Sequence, residues 1–207
     1  MDVSKYSELN HIFQEIYQAY PSSKDKFKEF FSKFEGTKIK YEDNANYYRL
    51  AYAQLWNDQR TELDPRITLN LYYLRKPDEL YSYLKLNRPY SLKIIEQKLN
   101  ISEDFLRNNS YLVTLFIFLH EFGHILHFEK YTQDNRDLMN INVTDFVGGY
   151  QWNYGEKPLS QLPIPNKRPS DIEDKEERLK QEEAYRQIEV EAFSDNYAAM
   201  VLKPIIT

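Results

Sequence analysis

The sequence has no cysteine and only five glycines and four histidines among its 207 residues. Without cysteine the chain can form neither a disulfide framework nor a thiolate zinc site. The scarcity of glycine argues against a sheet protein with many tight turns. Eighteen Tyr and twelve Phe instead favour helices packed through aromatic side chains. The length suits one globular domain, or one domain with a helical extension.

The sequence also lacks a long uninterrupted apolar segment. The most apolar run, residues 112–128, includes three His and one Glu, which predicts a buried helix and not a membrane span. A net charge of −5 and a pI near 5.5 argue against a nucleic-acid partner and against binding to an anionic membrane. Residues 1–5 lack the apolar core of a signal peptide, so we expect a cytoplasmic location.

Apolar periodicity predicts a helix-dominated α+β fold with a small sheet packed against the longest helix. Before that helix, shorter helices are predicted over residues 6–20, 24–34, 44–63, 77–86 and 91–100. One strand is predicted over residues 67–74, with Ile67, Leu69, Leu71 and Tyr73 on one face. The longest helix follows Ser110, a suitable N-cap. Residues 1–65 are interpreted as a helical N-terminal region packed on a core of residues 66–207.

The last third of the chain divides into a loop and a helix. Residues 129–169 are rich in turn-forming residues and are predicted to form a long loop. Ser170 and Glu173 then form a capping-box pattern that opens a helix. This helix is expected to end near Leu202, because Pro204 interrupts the backbone hydrogen bonding.

His120, Glu121 and His124 form an HExxH motif on the predicted long helix. Residues four apart are separated by about 40° around a helix axis, so both imidazoles can bind one metal ion. Glu121 can reach a water molecule at that metal and act as its general base without ligating the metal. The motif indicates a catalytic zinc site. The alternative is a pair of histidines with hydrogen-bond partners inside a core helix.

A catalytic zinc site of this kind needs a third protein ligand, and the last helix offers Glu191. Glu191 and Asp195 lie on or beside its apolar stripe, where a carboxylate is costly unless it is paired or bound to a metal. Asp195 can accept the second ring N–H of a zinc-binding histidine and so fix its orientation. Glu189 is a competing ligand, but it falls roughly 160° from Glu191 around the helix axis, which favours a position facing water. Ion pairing is the alternative role for Glu191 and Asp195.

HExxH followed by a helix with Glu-x-x-x-Asp resembles the gluzincin pattern of thermolysin-type metallopeptidases. The segment from Glu191 to Pro204, EAFSDNYAAMVLKP, is more similar still to the end motif of ImmA/IrrE metallopeptidases. The resemblance implies a zincin-like zinc endopeptidase that cuts a protein or peptide substrate, such as a regulatory protein. Two features depart from that family, namely the 66-residue spacer over 125–190 and Leu119 in place of a small residue.

Several further residues are candidates for substrate binding. Tyr150, Tyr154 and Tyr185 are possible donors to an oxyanion. The predicted strand over 67–74 can offer its edge to an extended peptide. His127 is offset from the face shared by the other two histidines, which favours a polar supporting role over metal ligation.

Residues 92–107 resemble a helix-turn-helix, with Asn100 at a left-handed turn position and Ser102 as the cap of the second helix. The segment has three basic and three acidic side chains. This balance favours two packed helices with no role in DNA binding. A non-catalytic, zinc-containing regulator that binds a partner or DNA through this segment is the alternative function.

Overall fold

The computed structural model describes residues 7–45, 50–56, 63–134, 176 and 189–207. Within these ranges the fold is α+β, with helices predominating over one three-stranded sheet. The helices are α1 (Asn10–Ala19), α2 (Ser23–Ser32), α3 (Leu71–Leu74), α4 (Pro77–Asn87), α5 (Pro89–Leu99), α6 (Glu103–Asn108), α7 (Tyr111–Asp134) and α8 (Glu189–Ile206). The strands are β1 (Lys38–Glu42), β2 (Ala51–Trp56) and β3 (Leu63–Asn70). No helix in the described ranges has the length and apolar character needed to cross a membrane.

The sheet has the strand order β1-β3-β2, with β1 parallel and β2 antiparallel to β3. Ile39 of β1 and Ala53 of β2 both align with Ile67 of β3. Ile67 and Leu69 are fully buried, and α7 lies against both β2 and β3. The central strand β3 is therefore covered along both edges, which rules out strand addition at β3 itself.

The prediction of a helix over 44–63 is wrong, because β2 occupies residues 51–56. Ala, Leu and Gln in this segment favour a helix locally, but pairing with β3 overrides that weak preference. Strand β1 was not predicted, although Ile39 and Tyr41 alternate with charged residues and pack against the core. The boundary proposed at residue 65 falls inside β3, so the N-terminal region supplies two strands of the sheet.

Strand β3 ends at Asn70, four residues before the predicted end of the strand. The Asn70 side-chain oxygen accepts hydrogen bonds from the backbone N–H of Tyr72 at 3.2 Å and of Asn44 at 3.3 Å. Its amide donates to the Asn44 carbonyl at 2.9 Å. This capping turns the chain into α3, so Leu71 and Tyr73 lie on a helix and not on the strand.

Aromatic side chains from α1, α2 and α7 pack together, as the composition predicts. Phe122 of the HExxH helix is fully buried, with its ring centroid 5.2 Å from that of Phe30 and 4.6 Å from that of Phe34. Phe118, one turn earlier, packs against Phe13, with the two ring centroids 6.0 Å apart. Edge-to-face contacts of this kind prefer defined ring orientations. They hold α7 in a fixed rotation about its axis.

The ends of α7 and α8 differ from the predictions. Helix α7 continues to Asp134, so residues 129–134 are helical where a loop was predicted. Helix α8 passes through Pro204 and ends at Ile206, since the proline removes one backbone donor only within the last turn. The Ser110 hydroxyl, expected to cap α7, donates to Asp78 at 2.5 Å. The predicted loop over 135–169 and the Ser170–Glu173 capping box lie outside the described residues.

Candidate metal centre

Helices α7 and α8 approach each other closely at Gly123 and Ser194. A Cβ atom added to Gly123 would lie 2.6 Å from Ser194 Cα and 3.0 Å from Ser194 Cβ. Such distances are too short for two carbon atoms, so only glycine fits at this crossing. The close approach brings His120 and His124, which flank Gly123 on α7, up to the facing residues of α8.

Three side chains meet at this crossing, His120 and His124 from α7 and Glu191 from α8. Nε2 of His120 lies 3.3 Å from Glu191 Oε2, and Nε2 of His124 lies 3.6 Å from Glu191 Oε1. The potential ligand atoms all lie within 4.8 Å of one another. Donor atoms bound to one tetrahedral zinc ion are separated by roughly 3.3 Å, given bond lengths near 2.0 Å. The three residues could therefore hold a metal ion.

His120 is held between two carboxylates. Its Nδ1 donates a hydrogen bond to Asp195 Oδ1 at 2.8 Å, which leaves Nε2 facing Glu191. Asp195 is 1% exposed and Glu191 is 3% exposed. Burial acts to lower the pKa of His120, but the hydrogen bonds that its ring donates to Asp195 and Glu191 outweigh burial and raise this pKa to about 9. A cation at this position, either a proton or a metal ion, compensates the buried negative charge.

His124 is supported by a residue that the sequence analysis missed. Its Nδ1 lies 3.1 Å from the hydroxyl oxygen of Ser194, which is fully buried. The two imidazole rings stand nearly perpendicular, with centroids 4.6 Å apart and an angle of 87° between their planes. Ser194 lies one residue before Asp195, on the predicted ligand helix. Its position three residues after Glu191 was the available sequence signal.

Glu121 and His127 are also buried beside these ligands. Glu121 follows His120 on α7 and is 6% exposed. His127 is 8% exposed, and its ring contacts that of Phe193 at 5.1 Å between centroids. Among the described residues, His127 is not a member of the group that could hold a metal ion.

Four other predicted site residues have no described side chain. Tyr150, Tyr154 and Tyr185 lie outside the described residues, and the side chain of Glu189 is likewise not described. The helix-turn-helix-like segment has the predicted local geometry, with Asn100 at φ 58° and the Ser102 hydroxyl accepting from Phe105 N–H at 3.1 Å. Its first helix, α5, packs against α8.

Comparison with known proteins identifies no relative. The chain matches no family model, no curated protein and no solved structure.

Proposed function

We propose that this protein is a zinc-dependent endopeptidase with a zincin-like fold, similar to the ImmA/IrrE metallopeptidases. The observation that carries the proposal is the meeting of His120, His124 and Glu191 at one point, with Glu121 beside them on α7. Two imidazoles and one carboxylate are a donor set typical of catalytic zinc. A purely structural zinc site usually has four protein ligands and needs no adjacent general base.

The chemistry follows from the positions of the side chains. A zinc ion bound here would supply a Lewis acid that polarises the scissile carbonyl and makes a water molecule more acidic. Glu121, next to His120, accepts the proton of the attacking water and then delivers it to the leaving amine. Asp195 keeps the His120 ring oriented, with Nε2 directed at the metal position.

The substrate would be a protein or peptide in an extended conformation. Because β3 is the central strand, a peptide has no free edge to pair with at residues 67–74. We propose instead that the peptide pairs with an edge strand of the sheet. Strand β2 is the edge that contacts α7, the helix with the HExxH motif. A peptide paired with β2 would gain backbone hydrogen bonds next to that helix, with little demand on its side chains.

The alternative function is a zinc-containing regulator that acts through residues 92–107. Asn100 and Ser102 form the expected turn between α5 and α6, and this local geometry favours the alternative function. However, Glu103 and Asp104 occupy the first turn of α6, where their charges would repel DNA phosphates. Lys98 of α5 donates instead to Asn196 of α8 at 2.6 Å. These contacts support a structural role for the segment.

A peptide library tests the proposed activity without knowledge of the natural substrate. The zinc-loaded protein is incubated with a library of mixed sequences, and new amino termini are identified by mass spectrometry. We expect cleavage that a chelator abolishes and added zinc restores. No new termini with the wild-type protein, or equal cleavage by wild type and Glu121→Gln, would contradict the proposal.

A further inference from the structure

Ser194 lies where the metal ligands and the helix crossing meet. Its hydroxyl oxygen is 3.1 Å from Nδ1 of His124, and its Cα faces Gly123. A larger residue at position 194 would push α7 and α8 apart, because the helices are already too close there for a side chain at position 123. A small residue is therefore required for packing, but packing alone does not require a hydroxyl group, because alanine is smaller.

We propose that Ser194 is a positioning residue for His124, the counterpart of Asp195 for His120. This inference rests on the metal site of the proposed function. When Nε2 of His124 binds a metal, Nδ1 carries the hydrogen and donates it to the Ser194 oxygen. The hydrogen bond selects the tautomer that exposes Nε2, and it restrains rotation of the ring.

The two imidazoles consequently have unequal support. His120 donates to a buried carboxylate at 2.8 Å, whereas His124 donates to a neutral hydroxyl at the longer distance of 3.1 Å. A charged acceptor makes the stronger hydrogen bond and makes the imidazole a better ligand. The loss of Ser194 should therefore weaken metal binding less than the loss of Asp195.

The test compares Ser194→Ala with Ser23→Ala in the full chain, using competition titration with Zn²⁺ and the visible spectrum of the Co²⁺-loaded protein. Ser23 is a matched control, because it is fully buried on α2 and its hydroxyl donates to the Ile16 carbonyl of α1 and not to a candidate metal ligand. We expect Ser194→Ala to lower zinc affinity about tenfold and to shift the Co²⁺ absorption. Ser23→Ala should leave both unchanged.

Equal zinc affinity and equal Co²⁺ spectra for Ser194→Ala and wild type would overturn the positioning role while leaving the proposed peptidase intact. An equal loss in Ser194→Ala and Ser23→Ala would also overturn it, since the effect would then reflect lost stability. A wild-type protein that binds no zinc would instead overturn the proposed function, and the role of Ser194 with it.

Discussion

Asp195 on α8 accepts a hydrogen bond from Nδ1 of His120 on α7 over 2.8 Å, across 75 positions of sequence. Both side chains are buried, at 1% and 6% exposure. One bond therefore orients a candidate metal ligand and also joins the two helices that supply all three candidate ligands. Substitutions at position 195 can separate these two contributions.

Asp195→Asn should retain zinc with only modestly reduced activity, because the asparagine carbonyl can still accept the imidazole N–H. Asp195→Ala removes the acceptor and leaves a buried N–H unpaired, which should cost about 10–100-fold in metal affinity or activity. Zinc competition titration measures the difference. Equal and near-neutral results for both variants would exclude a supporting role for Asp195.

Gly123→Ala should destabilise the protein by about 1–3 kcal/mol and weaken metal binding, because its methyl group forces α7 and α8 apart. The new Cβ would lie 2.6 Å from the backbone Cα of Ser194, which cannot rotate away. Gly36→Ala is the matched control, since no atom lies within 4 Å of a Cβ at that position. Urea denaturation measures the free energy of unfolding of both variants. Equal values would contradict this packing.

Glu121→Gln should bind zinc and fold like the wild type but lose peptide cleavage, because a glutamine side chain cannot accept a proton at neutral pH. Metal content and the free energy of unfolding serve as controls for an intact site. A variant that cleaves as fast as the wild type would remove Glu121 from the mechanism and favour the regulator.

The metal-free protein should lose stability as the pH rises from 6.5 to about 9, the unfolded-state and folded-state pKa values of His120. The folded state holds this proton more tightly, so its contribution is complete below pH 6.5 and vanishes above pH 9. The free energy of unfolding should fall by at most about 1.4 kcal/mol per pH unit in this range. Urea denaturation with a chelator measures it, and His120→Gln is the control. Identical pH dependence in both proteins would exclude a titrating His120.

The site was predictable because helical periodicity is local. HExxH places His120 and His124 on one face of α7, and the spacing of four residues places Glu191 and Asp195 on one face of α8. Ser194 escaped prediction, since its contact with His124 depends on how closely two distant segments cross. Gly123 permits that close crossing, but the sequence of α7 does not specify which residue of α8 will face it.

The sheet was the least predictable part of the fold for the same reason. Strand β2 is stabilised by pairing with β3, and its own residues favour a helix when considered alone. The end of β3 depends on hydrogen bonds between Asn70 and Asn44, 26 positions away. Helix α4 was predicted to within one residue, because Pro77 marks its start, whereas the predicted start of α5 at Ser91 lies two residues after the observed start at Pro89.

Zinc titration of the purified protein tests the central claim most directly. The wild type should bind about one equivalent, and His120→Ala, His124→Ala and Glu191→Ala should each lower the affinity severely. Glu189→Ala serves as the matched control on the same helix and should leave the affinity unchanged. Loss of zinc in Glu189→Ala with retention in Glu191→Ala would contradict the site, as would a wild-type protein that binds no zinc.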